Sequence, residues 1–347
     1  AEYGNGEPWG PRKAQIRASF GELTAARSKL VGAPIGAAAA EAHANVDAVQ
    51  NGSVPGVPWG FDRLDHLGLL AQGKQHVLAA RPGMGKTALA FQISALVADM
   101  PEDGGFREAV YFCSWEMPRA DLLEREACSL AGVSYKLMQR KRVGPDGLEK
   151  VGFHLGRLGR LPIWIDDQRC TPAELAGRVA VVKAMFERGA ARLADGKSLY
   201  PRCRMRLVAI DQLSEVKAPA DVNPRSDTRI LVGATAKDLQ RRIARKQKVA
   251  TLLLCQLARP KPGKVELPTL SELRESGQIE EAADEVHAIH RREYYEHGCP
   301  AEWRNVAQII PLKGRYGHEG EGRMGFYGGK FSDELPAAAR GVPDYGR

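Results

Sequence analysis

The chain has 347 residues, 44% hydrophobic and 27% charged, with a formal net charge of +8. That length is long for one domain and short for three, and no apolar stretch approaches the roughly 18 residues needed to span a bilayer. This excludes an integral membrane protein of helical type and leaves a chain whose basic balance leans toward a polyanionic partner.

The six cysteines, Cys113, Cys128, Cys170, Cys203, Cys255 and Cys299, include no CxxC pair. That sets aside a zinc ribbon and reads as reduced, mostly structural thiols of a cytoplasmic protein. No signal peptide opens the chain, and the first residue is alanine, so the numbering is compatible with a start inside a longer product.

In chain order, residues 1–51 are rich in Gly, Pro and Ala and hold one predicted helix, PIGAAAAEAHANVDAVQ. The stretch GSVPGVP (52–58) reads as a linker. The expected division is an N-terminal helical arm or linker over 1–51 and a second domain over 52–347. From Trp59 onward strands and helices alternate, the signature of an α/β fold with a mostly parallel sheet.

Apolar runs predict strands at Gln75–Ala80, Ala109–Trp115, Leu161–Ile165, Arg206–Ile210 and Val249–Cys255, then at Glu285–His290 and Val306–Leu312. KTALAFQISALVADM has helical spacing at Leu89, Ile93, Leu96 and Met100. Residues 319–331, EGEGRMGFYGGKF, read as a Gly-rich hairpin closing the domain, and AAARGVPDYGR as a loose tail.

Between the first strand and that helix lies ARPGMGKT. The phosphate-binding loop pattern is GxxxxGK[ST], here with Ala80 in place of the first glycine. Gly83 and Gly85 let backbone N–H groups curl around phosphates, and the helix N-terminus adds a favourable dipole. Residues Arg81, Pro82, Gly83, Met84, Gly85, Lys86, Thr87 and Ala88 are thus the expected nucleotide cradle. Lys86 would pair with the β- and γ-phosphates and the Thr87 hydroxyl would ligate Mg²⁺. A P-loop does not distinguish a kinase, a transporter ATPase, a recombinase or a motor.

A parallel sheet binds ligands beyond the carboxyl ends of its strands. Glu116 follows the second run, Asp211 the fourth, Gln256 the fifth, and Lys313 and Arg315 the last. Asp211 would hold Mg²⁺ through a water, Glu116 would deprotonate the attacking water, and Gln256 would sense the γ-phosphate. Lys313 and Arg315, two apart on an extended segment, point to one side. They are either surface cations on an edge strand or a finger reaching a neighbouring copy's nucleotide. Asp166 and Asp167 read as a solvated turn or a helix cap.

Taken together, WGFDRLDHLGLLAQG, AARPGMGKT, SWEMP, IWIDD, LVAIDQL, CQLARP, SELRESGQIEEAADEV and LKGRYG resemble the RecA-like motor domain of DnaB-type replicative helicases, over roughly Gly52 to Phe331. The resemblance implies a RecA-like P-loop NTPase core in a homo-hexamer. Such a ring hydrolyses ATP with Mg²⁺ between subunits, moves 5′ to 3′ on single-stranded DNA, and unwinds duplex during replication. It assigns Lys86 and Thr87 to nucleotide and Mg²⁺, Glu116 to catalysis, Asp211 to Walker B, Gln256 to γ-phosphate sensing, and Lys313 and Arg315 to contacts in trans. Arg274, Glu275 and Gly277 match the family loop that grips the DNA backbone. A helicase loader and a primase are partners the resemblance leaves open.

The chain departs from the family pattern in several places. Only about fifty residues precede the linker, too few for the family's N-terminal collar. Gln212, Leu213 and Ser214 replace the usual Tyr-Leu-Gln, and ERGAARLADGKSLYPRCRMR reads as an insertion. Cys255 stands where Ser is usual.

KDLQRRIARKQK (237–248) has six basic residues in twelve. It reads as an amphipathic helix, with Lys237, Arg241, Arg245 and Lys248 on one face and Val232, Ala236, Leu239 and Ile243 on another. That basic face is either solvated or a DNA contact. The loop before it offers Lys217, Arg225 and Arg229 as phosphate contacts. It has no aromatic ladder, so DNA binding through it would be electrostatic and salt-sensitive.

Two other readings stand beside the helicase. One is a RecA/KaiC-class ring or filament ATPase without unwinding. The other is a DNA-binding or scaffolding protein with incidental ATPase. SWEMP and LRESG weigh against the first, and the intact set of site residues against the second.

Overall fold

The computed structural model describes residues 35–50, 56–190, 200, 202–220, 222–223, 226–259, 266–273, 276–314 and 320–340. The chain divides into two units, Ala1–Val54 and Pro55–Arg347. In the first, helix α1 (Ile35–Gln50) forms where the alanine-rich run predicts it.

The second unit begins with a short antiparallel pair, β1 (Gly56–Val57) and β2 (Leu70–Ala71), flanking helix α2 (Asp62–Asp65). Here Trp59 is buried. Its backbone N–H donates to Asp65 Oδ1 (2.6 Å) and its indole N–H to the Gly68 carbonyl (2.9 Å).

Among the described residues the main sheet has nine strands: β3 (Gln75–Ala80), β4 (Arg107–Ser114), β5 (Ile163–Asp166), β6 (Cys203–Asp211), β7 (Ala250–Gln256), β8 (Glu285–His290), β9 (Val306–Gly314), β10 (Gly322–Tyr327) and β11 (Lys330–Ser332). Their order is β11-β10-β9-β8-β3-β7-β6-β4-β5. The six strands from β8 to β5 are parallel, while β9, β10 and β11 are antiparallel to their neighbours. Strand β3 lies between β8 and β7 and is buried along its whole length. A parallel strand covered on both faces reads as an unbroken apolar run.

Side chains alternate across the sheet. Leu78, Ala80, Val110, Phe112, Leu207, Ala209, Leu252 and Leu254 join one core cluster, with residues of α3 (Lys86–Ala98), α4 (Arg119–Leu130) and α6 (Pro145–Leu158). Val77, Ala79, Tyr111, Val208, Ile210 and Leu253 join the other, with residues of α7 (Pro172–Glu187), α8 (Thr228–Leu239) and α9 (Ser276–Ala282). The short α5 (Tyr135–Gln139) lies between α4 and α6 in the chain.

Helix α3 is apolar on nearly every side, as a helix inside a core is. Leu96 of the expected stripe is instead partly exposed. Helix α7 starts with a capping box, Thr171 accepting from the Glu174 N–H and Glu174 from the Thr171 N–H.

Two expectations are corrected. Asp166 is not in a solvated turn. It is buried and accepts from the Tyr111 hydroxyl (2.6 Å), Arg178 (2.9 Å) and the Gln168 N–H (2.9 Å). The basic helix does not keep α-helical spacing either, because Gln240–Arg245 winds as a π-helix and Lys248 leaves with φ 54°. Its apolar side, Val232, Ala236, Leu239 and Ile243, is buried as expected. Of the expected insertion, 191–199 and 201 lie outside the described residues; Glu187 closes α7, and residues 203–206 form the start of β6.

Glu126, on α4, is buried; its Oε2 faces Gln92 Nε2 at 3.4 Å, and its Oε1 has no hydrogen-bond partner among the described residues. Burial pushes its carboxyl from 4.5 up to about 7. Between these values the folded chain holds a proton that the unfolded chain has lost. The contribution of Glu126 to stability therefore falls as pH rises from 4.5 to about 7, by roughly 3 kcal/mol at 1.36 kcal/mol per pH unit, and is flat above. His290, pushed by burial from 6.5 down to about 4, contributes the opposite slope below 6.5. In Glu126→Gln the Glu126 contribution should disappear, so the gap between wild type and variant should change with pH. Urea midpoints from pH 5 to 8 check it, and parallel curves for the two proteins would refute it.

Candidate active site

The carboxyl ends of β3, β7, β6 and β4 lie side by side, with Ala80 opposite Gln256 and Ser114 opposite Asp211. They border one cavity of about 280 Å³. Ala80 to Thr87, Glu116 and Gln256 line it, together with Arg125, Gln212, Phe326 and Gly329.

The loop after β3 turns on glycines in the left-handed region, Gly83 at φ 80° and Gly85 at 98°. At Gly85, the N-cap of α3, a Cβ would also press on the Phe326 and Phe331 rings at 3.0 and 3.1 Å. The β10–β11 hairpin is held against α3 by Gln92, which accepts from the Phe331 N–H (3.0 Å) and donates to the Gly329 carbonyl (3.1 Å).

Asp211 has no exposed surface, and its Oδ2 accepts from the Thr87 hydroxyl at 2.7 Å. Lys86 Nζ donates to Gln212 Oε1 (2.8 Å) and lies 3.8 Å from Asp211 Oδ1. Burial raises the Asp211 carboxyl, opposed by Lys86 and the Thr87 hydrogen bond and reinforced by the charge of Glu116. The Asp211–Gln212 peptide is cis. Glu116 is exposed, one residue beyond Trp115, whose N–H donates to the Asp211 carbonyl (2.9 Å).

Arg81 differs from the rest of the loop. Its guanidinium is committed to Glu272 and the Glu266 carbonyl, so its part in a phosphate cradle would be through its backbone. Met84 and Ala88 are buried in the core, and Pro82 is half-buried.

Lys313 is elsewhere. Strand β9 runs opposite to β8, pairing Lys313 with Val286 near the amino end of the parallel strands. Its ammonium donates to the carbonyls of Glu280 and Ala283 (2.9 Å for the latter), at the C-terminal end of α9. It is therefore remote from its own chain's cavity.

Lys217 and Arg229 are exposed, Arg229 in the first turn of α8. Gly277 is exposed within α9. Arg225, Arg274, Glu275 and Arg315 lie outside the described residues. On the basic stretch, Lys237 pairs with Glu281 (2.6 Å), and Arg241 (2.5 Å) and Arg242 (2.7 Å) with Asp238. Those pairings favour the solvated reading of that face.

Sequence reasoning missed Arg125, Gln212, Phe326 and Gly329. Gln212 carried a signal, because it adjoins Asp211 at a position where the sequence departs from the pattern it resembles. Arg125 sits within a charged helix and Phe326 in a hairpin far along the chain, so neither had one.

The model of the family described as DnaB-like helicase C-terminal domain matches residues 56–332. The replicative DNA helicase DnaB of Leifsonia xyli subsp. xyli (strain CTCB07) is 30% identical over 295 residues, 83% of this chain and 58% of that protein. That of Geobacillus stearothermophilus is 28% identical over 289 residues, 81% and 57%. The chain thus spans under two thirds of the length of these relatives. Among solved structures, an isolated ATPase domain shares the fold with a TM-score of 0.69 and 23% identity, over 87% of this chain and 99% of that one. A DnaB-like replicative helicase, described with its interactions with primase, does so at 0.69 and 23%, over 91% and 71%.

Proposed function

Because the chain belongs to the DnaB-like helicase C-terminal domain family, we propose that it is the motor of an ATP-driven DNA helicase. Six copies form a ring that moves 5′ to 3′ on single-stranded DNA and unwinds duplex during replication. The observation that carries the reading is the convergence of four parallel strand ends on one cavity, bringing Lys86, Thr87, Glu116 and Gln256 together above the buried Asp211.

The residues fit a hydrated Mg²⁺. Among the described residues Asp211 Oδ1 has no hydrogen-bond partner, and Oδ2 is already joined to the Thr87 hydroxyl. Mg²⁺ keeps several waters and asks for few protein oxygens. Thr87 and Asp211 would hold it, Asp211 through a water, and the ion would supply neutralisation of phosphate charge.

In this reading the backbone N–H groups of Arg81 and of residues 83–88 cradle the phosphates, Pro82 shaping the turn without a donor, and Lys86 exchanges Gln212 for a phosphate oxygen. Glu116 takes the proton of the attacking water, and Gln256 hydrogen-bonds the γ-phosphate. Lys313 and Arg315 serve a neighbouring copy. The position of Lys313 away from its own cavity supports that role. Arg274 and Gly277, with Lys217, Arg225 and Arg229, meet DNA phosphates without reading bases, while Glu275, whose carboxylate a phosphate would repel, orients Arg274 by a salt bridge. A cytoplasmic location, a helicase loader and a primase complete the proposal. The likeness to a helicase described with its primase interactions supports the last.

ATP turnover with and without single-stranded DNA tests this, beside strand separation on a fork. Turnover should rise with DNA, the stimulation should fade with salt, and a fork with a 5′ tail should open. A rate indifferent to DNA, with no unwinding, would return the chain to the RecA/KaiC-class alternative.

A further inference from the structure

The P-loop is tied to a second segment by a side chain that phosphate binding does not need. Arg81 is almost fully buried at 3% exposure. Its Nε donates to Glu272 Oε2 (2.9 Å), its Nη2 to Glu272 Oε1 (2.8 Å) and its Nη1 to the Glu266 carbonyl (2.9 Å). All three contacts go to one stretch, 266–272.

That stretch is knitted to the strand carrying Gln256. The Ala258 N–H donates to the Glu272 carbonyl (2.9 Å), Leu257 forms a β-bridge with Leu273, and the Leu257 N–H donates to the Ala80 carbonyl (2.9 Å). The stretch also leads into α9, packed so closely on α8 that a Cβ at Gly233 would collide with the Gln278 side chain.

We propose that the Arg81–Glu272 pair is a positioning element that couples the P-loop to the 266–273 segment, so that occupancy of one sets the placement of the other. The inference rests on the motor reading, in which the residues after Leu273 contact DNA. A bidentate guanidinium–carboxylate fork fixes direction as well as distance. A buried charge is costly to strand without its partner, so the two ends move together. Phosphate entry acts on the backbone from Arg81 to Lys86, and a shift of Arg81 is carried to Glu272 and the segment behind it. By reciprocity, DNA held beyond Leu273 biases the P-loop.

The test is Glu272→Gln in the full chain, which keeps shape and one acceptor but removes the charge. Basal turnover and KM for ATP should stay within about twofold of wild type, while the DNA-stimulated part of kcat falls at least about tenfold. Glu272→Asp, which keeps the charge, should recover part of the stimulation. Amide exchange across 266–273 should respond to a non-hydrolysable ATP analogue in wild type and not in Glu272→Gln.

Undiminished stimulation in Glu272→Gln would overturn the proposal. So would a loss of basal turnover that parallels the loss of stimulation, since that marks mere structural support; some loss of thermal stability follows from stranding the Arg81 charge and is read separately. A wild-type chain indifferent to DNA would instead fail the motor reading, and the coupling would fall with it.

Discussion

Replacing Lys86 with alanine should lower ATP turnover by about 10²–10³-fold or more, the size of effect seen when a preorganised charge donor is removed from a transition state. The ammonium lines the cavity, 2.8 Å from Gln212 Oε1 and 3.8 Å from Asp211 Oδ1. Its present partner is a neutral amide, easily exchanged for a phosphate oxygen. The substitution also removes the cation that opposes burial of Asp211, so that carboxyl should rise further. Lys86→Arg should not restore turnover, because a planar fork does not replace a compact ammonium. Steady-state hydrolysis, with a thermal melt as folding control, decides the matter. A folded Lys86→Ala protein within about tenfold of wild type would remove Lys86 from the chemistry.

The second large effect should come from Glu116→Gln, with turnover reduced about 10²–10⁴-fold while nucleotide binding persists. Glu116 is exposed on the cavity wall, past the end of β4, whereas Asp211 is buried at the end of the adjacent β6. The charge of Glu116 helps raise the Asp211 carboxyl, but only the outer one is placed to meet water. Glutamine keeps the shape and cannot take a proton. Fluorescent-nucleotide titration beside turnover separates binding from chemistry. Hydrolysis within about threefold of wild type would assign the base elsewhere.

The parallel strands were legible because both of their faces are covered, which leaves apolar runs ending near the observed boundaries. Strand β6 is instructive at its start. It begins at Cys203 rather than Arg206, because Arg204 and Arg206 both reach Glu108 on β4, at 2.7 and 3.8 Å. Charge satisfied across two strands does not look like strand in one dimension. The polar residues at strand ends were legible too, since topology alone brings Glu116 and Gln256 to one cavity and Asp211 beneath it. The tie from Arg81 to Glu272 was not, because its partners are separated by 191 positions in sequence and neither stands at a strand end. Asp166 misled for a related reason: its burial depends on Tyr111 and Arg178, which no local pattern connects to it.

The hairpin packed over Gly85 has a consequence for how the protein is made. Phe326 and Phe331 touch the phosphate loop, and Phe326 and Gly329 wall the cavity, yet they follow Gly85 by roughly 250 residues, which a ribosome takes about 12–50 s to add at 5–20 residues per second. A nascent chain therefore presents its P-loop helix long before the aromatic cover exists. Strand β3 must likewise wait for both of its neighbours, β7 and β8. Nucleotide cannot stabilise early intermediates through a finished pocket. The chain has to survive translation with that apolar surface bare, so its biogenesis should depend on chaperones more than its final stability suggests.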